Sequence, residues 1–123
     1  MIQNCLFVML GGAVGALLRY GISRLMAGIT FLSMPLGTLL VNIAGCFLLG
    51  WLTGIAQVHS NASRPLMLML TVGLCGAFTT FSTFSAENIK LLENGQFLST
   101  LLYTAASIFL GFLLFWFGKS LAS

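Results

Sequence analysis

Gly73-Leu-Cys-Gly-Ala-Phe-Thr-Thr-Phe-Ser-Thr-Phe-Ser85 sets five Ser/Thr hydroxyls and three phenylalanines, with two glycines, inside an otherwise apolar run. Hydrocarbon offers no water to an opened backbone. Polar, glycine-rich sequence at membrane depth therefore survives only against other protein or beside a watery cavity. Such a segment marks a site, and its surroundings fit an ion pathway better than an active site.

The rest of the chain supplies the membrane. Of 123 residues, 59% are hydrophobic and 6% charged, with a mean hydropathy of +1.06. A soluble domain carries about 25% charged residues because its surface must face water. Five Lys/Arg and two Asp/Glu cannot coat a globule, so this is an integral membrane protein. The pI near 9.1 does not imply nucleic acid, because Arg19, Arg24, Arg64, Lys90 and Lys119 are scattered singly and form no patch. They read as helix-end charges near headgroups. Cys5, Cys46 and Cys75 fit neither a disulfide framework nor a metal pattern and are expected to be small buried residues.

Working outward from the polar segment gives four spans of about 20 apolar residues each. The first covers Ile2 to Tyr20. It lacks the basic start and clear cleavage site of a signal peptide, so it is retained as a span. The second follows Ser33-Met34-Pro35, where Ser33 is expected to cap the helix, and continues to Ala56. Residues 57–64 form a polar loop. The third span opens at Pro65 and closes between Glu87 and Lys90; the fourth runs from Phe97 to Phe117. Residues 1–123 make one all-α transmembrane domain with no internal soluble part.

Arg24 and Lys90, with Arg19, flank one side, while Arg64 and Lys119 flank the other. That balance does not fix orientation by the positive-inside rule, and it admits insertion both ways as an antiparallel homodimer. Four helices alone enclose little sheltered space, so an oligomer is expected. Gly11-x-x-x-Gly15, Cys46-x-x-x-Gly50 and Gly50-x-x-x-Gly54 offer small-residue faces for close helix contact.

Catalytic chemistry finds little support. His59 is the only histidine and lies in the polar loop; Glu87 and Glu93 are the only carboxylates. No metalloprotease, nucleophile-elbow or phosphate-loop motif occurs, so no enzyme is expected. Asn42, near the middle of span two, either ties helices together or lines a polar route, where its amide could donate to an anion. Phe81 and Phe84, three apart, share a helix face that Phe78 extends; Thr80 with Thr83 and Ser82 with Ser85 form neighbouring rows. Those rings either pack greasily on a neighbour or present positive edges to an anion. Gly73, Gly76 and the Thr79-Thr80 pair offer a place for the helix to break, whose freed carbonyls would suit Na⁺.

Taken together, Gly11-Gly12-Ala-Val-Gly15-Ala-Leu-Leu-Arg19-Tyr20, Gly37-Thr38-x-x-Val-Asn42-x-x-Gly45 and Gly76-Ala-Phe-Thr79-Thr80-Phe81-Ser82-Thr83-Phe84 resemble the Fluc (CrcB) fluoride channel family over essentially the whole chain. The resemblance implies a four-helix membrane protein with the third helix interrupted near its middle, assembled as an antiparallel, dual-topology homodimer with two pores. It implies passive export of fluoride across the bacterial inner membrane, with fluoride, lipid and a second copy as partners. By similarity, Asn42, Phe81 and Phe84 face the ion, with Thr80, Ser82 and Thr83 beside them and Tyr103, Thr104 and Ser107 on the polar side of span four. Gly111 stands where family members can carry another hydroxyl, which shortens that track. Backbone carbonyls of Gly76 and Thr79 from both subunits would hold a structural Na⁺. Arg19, Thr38 and Glu87 would line or support a vestibule.

Two other classes compete. A small proton-coupled multidrug exporter needs a membrane-embedded carboxylate, which span one lacks. A non-transporting scaffold would use the glycines for packing and Asn42 as glue.

Overall fold

The computed structural model describes residues 1–59 and 63–122. Helix α1 covers Ile2–Leu25, α2 Leu36–Val58 and α6 Phe97–Ala122. The third crossing, Arg64–Glu93, consists of α3 (Arg64–Leu68), a π-helical stretch (Met69–Cys75), α4 (Gly76–Phe78) and α5 (Ser82–Glu93). All four crossings are long and apolar enough to traverse a membrane. Helices α1, α2 and α6 outrun their apolar windows, by one to two turns at α1 and α6. The extra turns of α1 and α6 carry Arg24 and Lys119, residue types whose long apolar stems let a helix continue past its apolar stretch. The expected polar loop is shorter than its composition suggests: α2 runs through Gln57 and Val58, and α3 begins at Arg64. Exposed His59 follows α2 directly, and the loop positions 60–62 lie outside the described residues.

Between α1 and α2 a small antiparallel hairpin forms from β1 (Thr30–Phe31) and β2 (Met34–Pro35), with Thr30 opposite Pro35. Its two-residue turn puts Leu32 at φ 52° and Ser33 at φ 68°. Two-residue hairpin turns with both central residues at positive φ match the strand twist, although glycine and asparagine fill them more cheaply. This overturns the expected capping role of Ser33. The turn takes that residue into a left-handed backbone two positions before Pro35, which stands at the N-cap with no side-chain cap bond. The Ser99 hydroxyl donates to the Leu32 carbonyl at 2.6 Å and ties the turn to α6.

Packing follows the small residues. A methyl group added at Gly11 would stand 2.9 Å from the carbonyl carbon of Met69, so α1 lies backbone-to-backbone on the third crossing. One at Gly50 would stand 2.8 Å from the carbonyl carbon of Phe115, bringing α2 equally close to α6. Glycine is required there by space, since dispersion and close approach, rather than water exclusion, hold helices together in lipid. Near the hairpin end, Met34, Leu39, Leu91 and Tyr103 form a buried cluster with Phe84 packed on it.

Cysteine burial follows depth only in part. Cys75 is buried and Cys46 half-buried, but Cys5 is exposed, contrary to expectation. It sits in the first turn of α1.

Candidate functional site

Helix α4 stops at Phe78, and Thr79 turns to an extended conformation (φ −81°, ψ 157°) before α5 begins at Ser82. Backbone groups released by such a link need partners at membrane depth. Asn42 of α2 supplies two. Its Oδ1 accepts the Thr80 N–H at 2.8 Å, and its Nδ2 donates to the Thr80 carbonyl at 3.0 Å. The side chain thus pairs with one residue as a neighbouring strand would, and one amide proton remains. Arg19 of α1 donates from Nε to the Ala77 carbonyl at 3.0 Å, and the Thr80 hydroxyl accepts the Thr83 N–H at 3.1 Å.

That link also corrects two side-chain rows. Phe78 does not extend the face of Phe81 and Phe84, because the extended residue at 79 intervenes and turns Phe78 toward the packing of α1 and α2, beside Gly15 and Gly45. Thr80 precedes α5 rather than sharing a helical row with Thr83, and bonds to the Thr83 backbone instead.

Beside the link lies a cavity of about 640 Å³, lined by Asn42, Thr80, Phe81, Phe84, Thr104 and Ser107 among others. Among the described residues no Lys, Arg, Asp or Glu lines it. The Phe81 and Phe84 rings stand 6.1 Å apart, tilted by 40°, and Phe81 is 79% exposed. The Ser107 hydroxyl is buried behind the lining and has no hydrogen-bond partner among the described residues. The spare Asn42 amide proton is a donor that an anion in the cavity could meet.

Ser82 and Thr83 face another space of about 330 Å³, shared with Glu87 and Lys90. Glu87 accepts from the Thr38 hydroxyl at 3.0 Å and from the Tyr103 hydroxyl at 2.8 Å. Tyr103 is fully buried, and its ring lies 4.9 Å from that of Phe84. The structure therefore separates two groups that the sequence lists together. Thr104 and Ser107 line the large cavity, whereas Tyr103 joins Thr38 at Glu87; Arg19 serves the Ala77 carbonyl and not that cluster. Neither the Glu87 pairing nor the Asn42–Thr80 pairing has a sequence signature beyond a lone polar group in a span that requires a partner.

Among the described residues no group of three His, Cys, Asp or Glu could hold a metal ion. Side-chain oxygens of Asn, Ser and Thr and the backbone carbonyls of the link are the remaining oxygen donors that a hard cation could use. At Gly76 an added methyl group would meet no described atom within 4 Å, so no neighbouring helix covers that side of the residue.

A family profile described as CrcB-like protein, Camphor Resistance (CrcB), matches residues 6–119. A fluoride-specific ion channel FluC of Oceanobacillus iheyensis is 44% identical over 120 residues, covering 98% of this chain and 92% of that protein. Proteins of the same name from Nitratidesulfovibrio vulgaris and Flavobacterium psychrophilum are 40% and 38% identical, covering 94% and 98% of this chain and 94% and 97% of theirs.

Proposed function

The chain belongs to the CrcB-like family, and from that premise we propose that it is a fluoride-selective passive channel. The observation that carries the reading is the cavity of about 640 Å³, where Asn42, Phe81 and Phe84 converge and no described lining residue bears a fixed charge. A fluoride ion entering it exchanges water for the spare Asn42 amide proton and the positive ring edges of Phe81 and Phe84. A lysine there would hold the anion too tightly to release it; several weak donors allow both entry and exit. Thr80 and Thr104 extend the polar wall, and Ser82 and Thr83 continue it toward the end of the crossing where Glu87 is held by Thr38 and Tyr103. Arg19 supports the route from behind by holding the Ala77 carbonyl.

A second copy closes the cavity. Phe81 is too exposed to be a finished part of a pore wall, and the balanced Lys/Arg distribution suits an antiparallel partner. We read residues 79–81 as the interruption of the third helix. Carbonyl oxygens of Gly76 and Thr79, doubled by the partner, form a hard-oxygen site suited to a structural Na⁺. When bound, that ion would pin the two copies across the interface. The physiological direction is outward, across the bacterial inner membrane, down the gradient of fluoride that accumulates after HF enters and dissociates.

The test is efflux from liposomes, followed with a fluoride electrode beside chloride-loaded controls. Fast fluoride release with little chloride release is expected. No release from folded protein refutes the reading and returns the exporter and scaffold classes.

A further inference from the structure

In an unbroken helix the Thr80 N–H would close on the Gly76 carbonyl, and the Thr83 N–H on the Thr79 carbonyl. Both donors are drawn elsewhere: the first goes to Asn42 Oδ1 at 2.8 Å and the second to Thr80 Oγ1 at 3.1 Å. Two other carbonyls at the link receive side-chain donors in exchange, Ala77 from Arg19 Nε and Thr80 from Asn42 Nδ2, each at 3.0 Å. The Gly76 and Thr79 oxygens therefore lose their helical donors to identified competitors and receive no side-chain donor among the described residues.

We propose that Asn42 and Thr80 are positioning residues for a hard monovalent cation, holding the Gly76 and Thr79 carbonyls open by diverting the N–H groups that would otherwise occupy them. Thr80 acts through its hydroxyl on the Thr83 amide, and Asn42 through its carboxamide on the Thr80 amide. Neither side chain needs to touch the ion. Thr80 and Asn42 are thus coupled in sequence: the residue whose backbone Asn42 secures is the one whose hydroxyl frees the next carbonyl. This inference rests on the sodium reading above, and the experiment separates the two.

Thermal unfolding of the purified protein is followed at rising NaCl, with N-methylglucamine chloride holding ionic strength constant. The wild type is expected to gain stability with Na⁺ specifically. Thr80→Val lets the Thr83 N–H return to the Thr79 carbonyl and should need at least about tenfold more Na⁺ for the same shift. Thr80→Ser keeps the acceptor and should follow the wild-type curve. If Thr80→Val does not fold, Thr80→Cys, close to serine in size but a poor acceptor, carries the same comparison. A wild type with no Na⁺-specific shift defeats the sodium reading itself. A responsive wild type whose Val or Cys variant follows the same Na⁺ curve, or a Ser variant that loses the response, overturns the positioning role and leaves the cation site standing.

Discussion

Replacing Asn42 by alanine removes both hydrogen bonds that its carboxamide makes to Thr80, at 2.8 and 3.0 Å, and leaves an N–H and a carbonyl at membrane depth. Measured side-chain hydrogen bonds within membranes average about 0.6 kcal/mol and reach about 1.7, so two of them are worth roughly 1.2 to 3.4 kcal/mol. At about 1.4 kcal/mol per decade that is about 7- to 270-fold in the unfolding equilibrium. Partial recovery is available, because the freed Thr80 N–H can swing back to the Gly76 carbonyl, which favours the lower part of the range. Thr53→Ala is the control. Its hydroxyl donates only to the Leu49 carbonyl of its own helix, at 2.7 Å, and its loss should change stability by less than about 0.5 kcal/mol. Reversible unfolding in mixed micelles measures both variants, and fluoride efflux is read on the same preparations. Asn42→Ala should be clearly less stable than Thr53→Ala and should also conduct poorly, because the spare amide proton is lost with the clamp. Equal stability of the two variants would refute the clamp, whatever happens to flux.

Phe81→Ile and Phe84→Ile should each abolish fluoride efflux while the protein still elutes as a dimer, with Phe81→Ile losing its ring pair with Phe84 and Phe84→Ile losing that pair and the one with Tyr103, each worth about 0.5–1.5 kcal/mol; normal efflux from both removes the rings from the pathway. Tyr103→Phe deletes the donor to Glu87 at 2.8 Å and should lower stability by about 1–3 kcal/mol, and a cycle with Thr38→Val should be non-additive because both hydroxyls serve one carboxylate. Gly50→Ala should melt well below wild type, since its methyl group would meet the Phe115 backbone, whereas Gly21→Ala, with nothing within 4 Å, should not; similar melting of both denies that α2 and α6 are held at backbone contact.

The four crossings were legible because hydrocarbon leaves a helix one way to present itself, a long apolar run, and Pro35, Arg64 and Lys119 mark where runs start or stop. Their ends were less legible, because apolar windows end before helices whose last turns carry the long-stemmed Arg24 and Lys119. The hairpin at 30–35 escaped notice because its turn uses Leu32 and Ser33 where glycine or asparagine would signal it. At the site, the residue types gave the polar positions Asn42, Thr80 and Ser107. They could not give the partners, since a carboxamide can satisfy a backbone or an ion with the same atoms, and only the placement of α2 against the link decides that Asn42 spends two of its groups on Thr80. Tyr103 and Glu87 are sixteen residues apart and on different helices, a pairing no local pattern announces.

Why the link stays put follows from what braces its two ends. Before it, the third crossing lies against α1 at backbone distance, with Gly11 on Met69 and Gly15 on Leu74, and any larger residue would push them apart. After it, α5 is fastened through Glu87 to Thr38 of α2 and Tyr103 of α6. Asn42 and Arg19 then hold the backbone between these fixed ends from two different helices. Sliding either end to re-form a continuous helix would break close packing on one side or a carboxylate's hydrogen bonds on the other. With Asn42 and Arg19 pairing the Thr80 and Ala77 backbone groups, the link is set by the protein's own packing and hydrogen bonds. A pathway for an ion that binds weakly needs that property, because each passing ion contributes too little energy to reorganise a helix for itself.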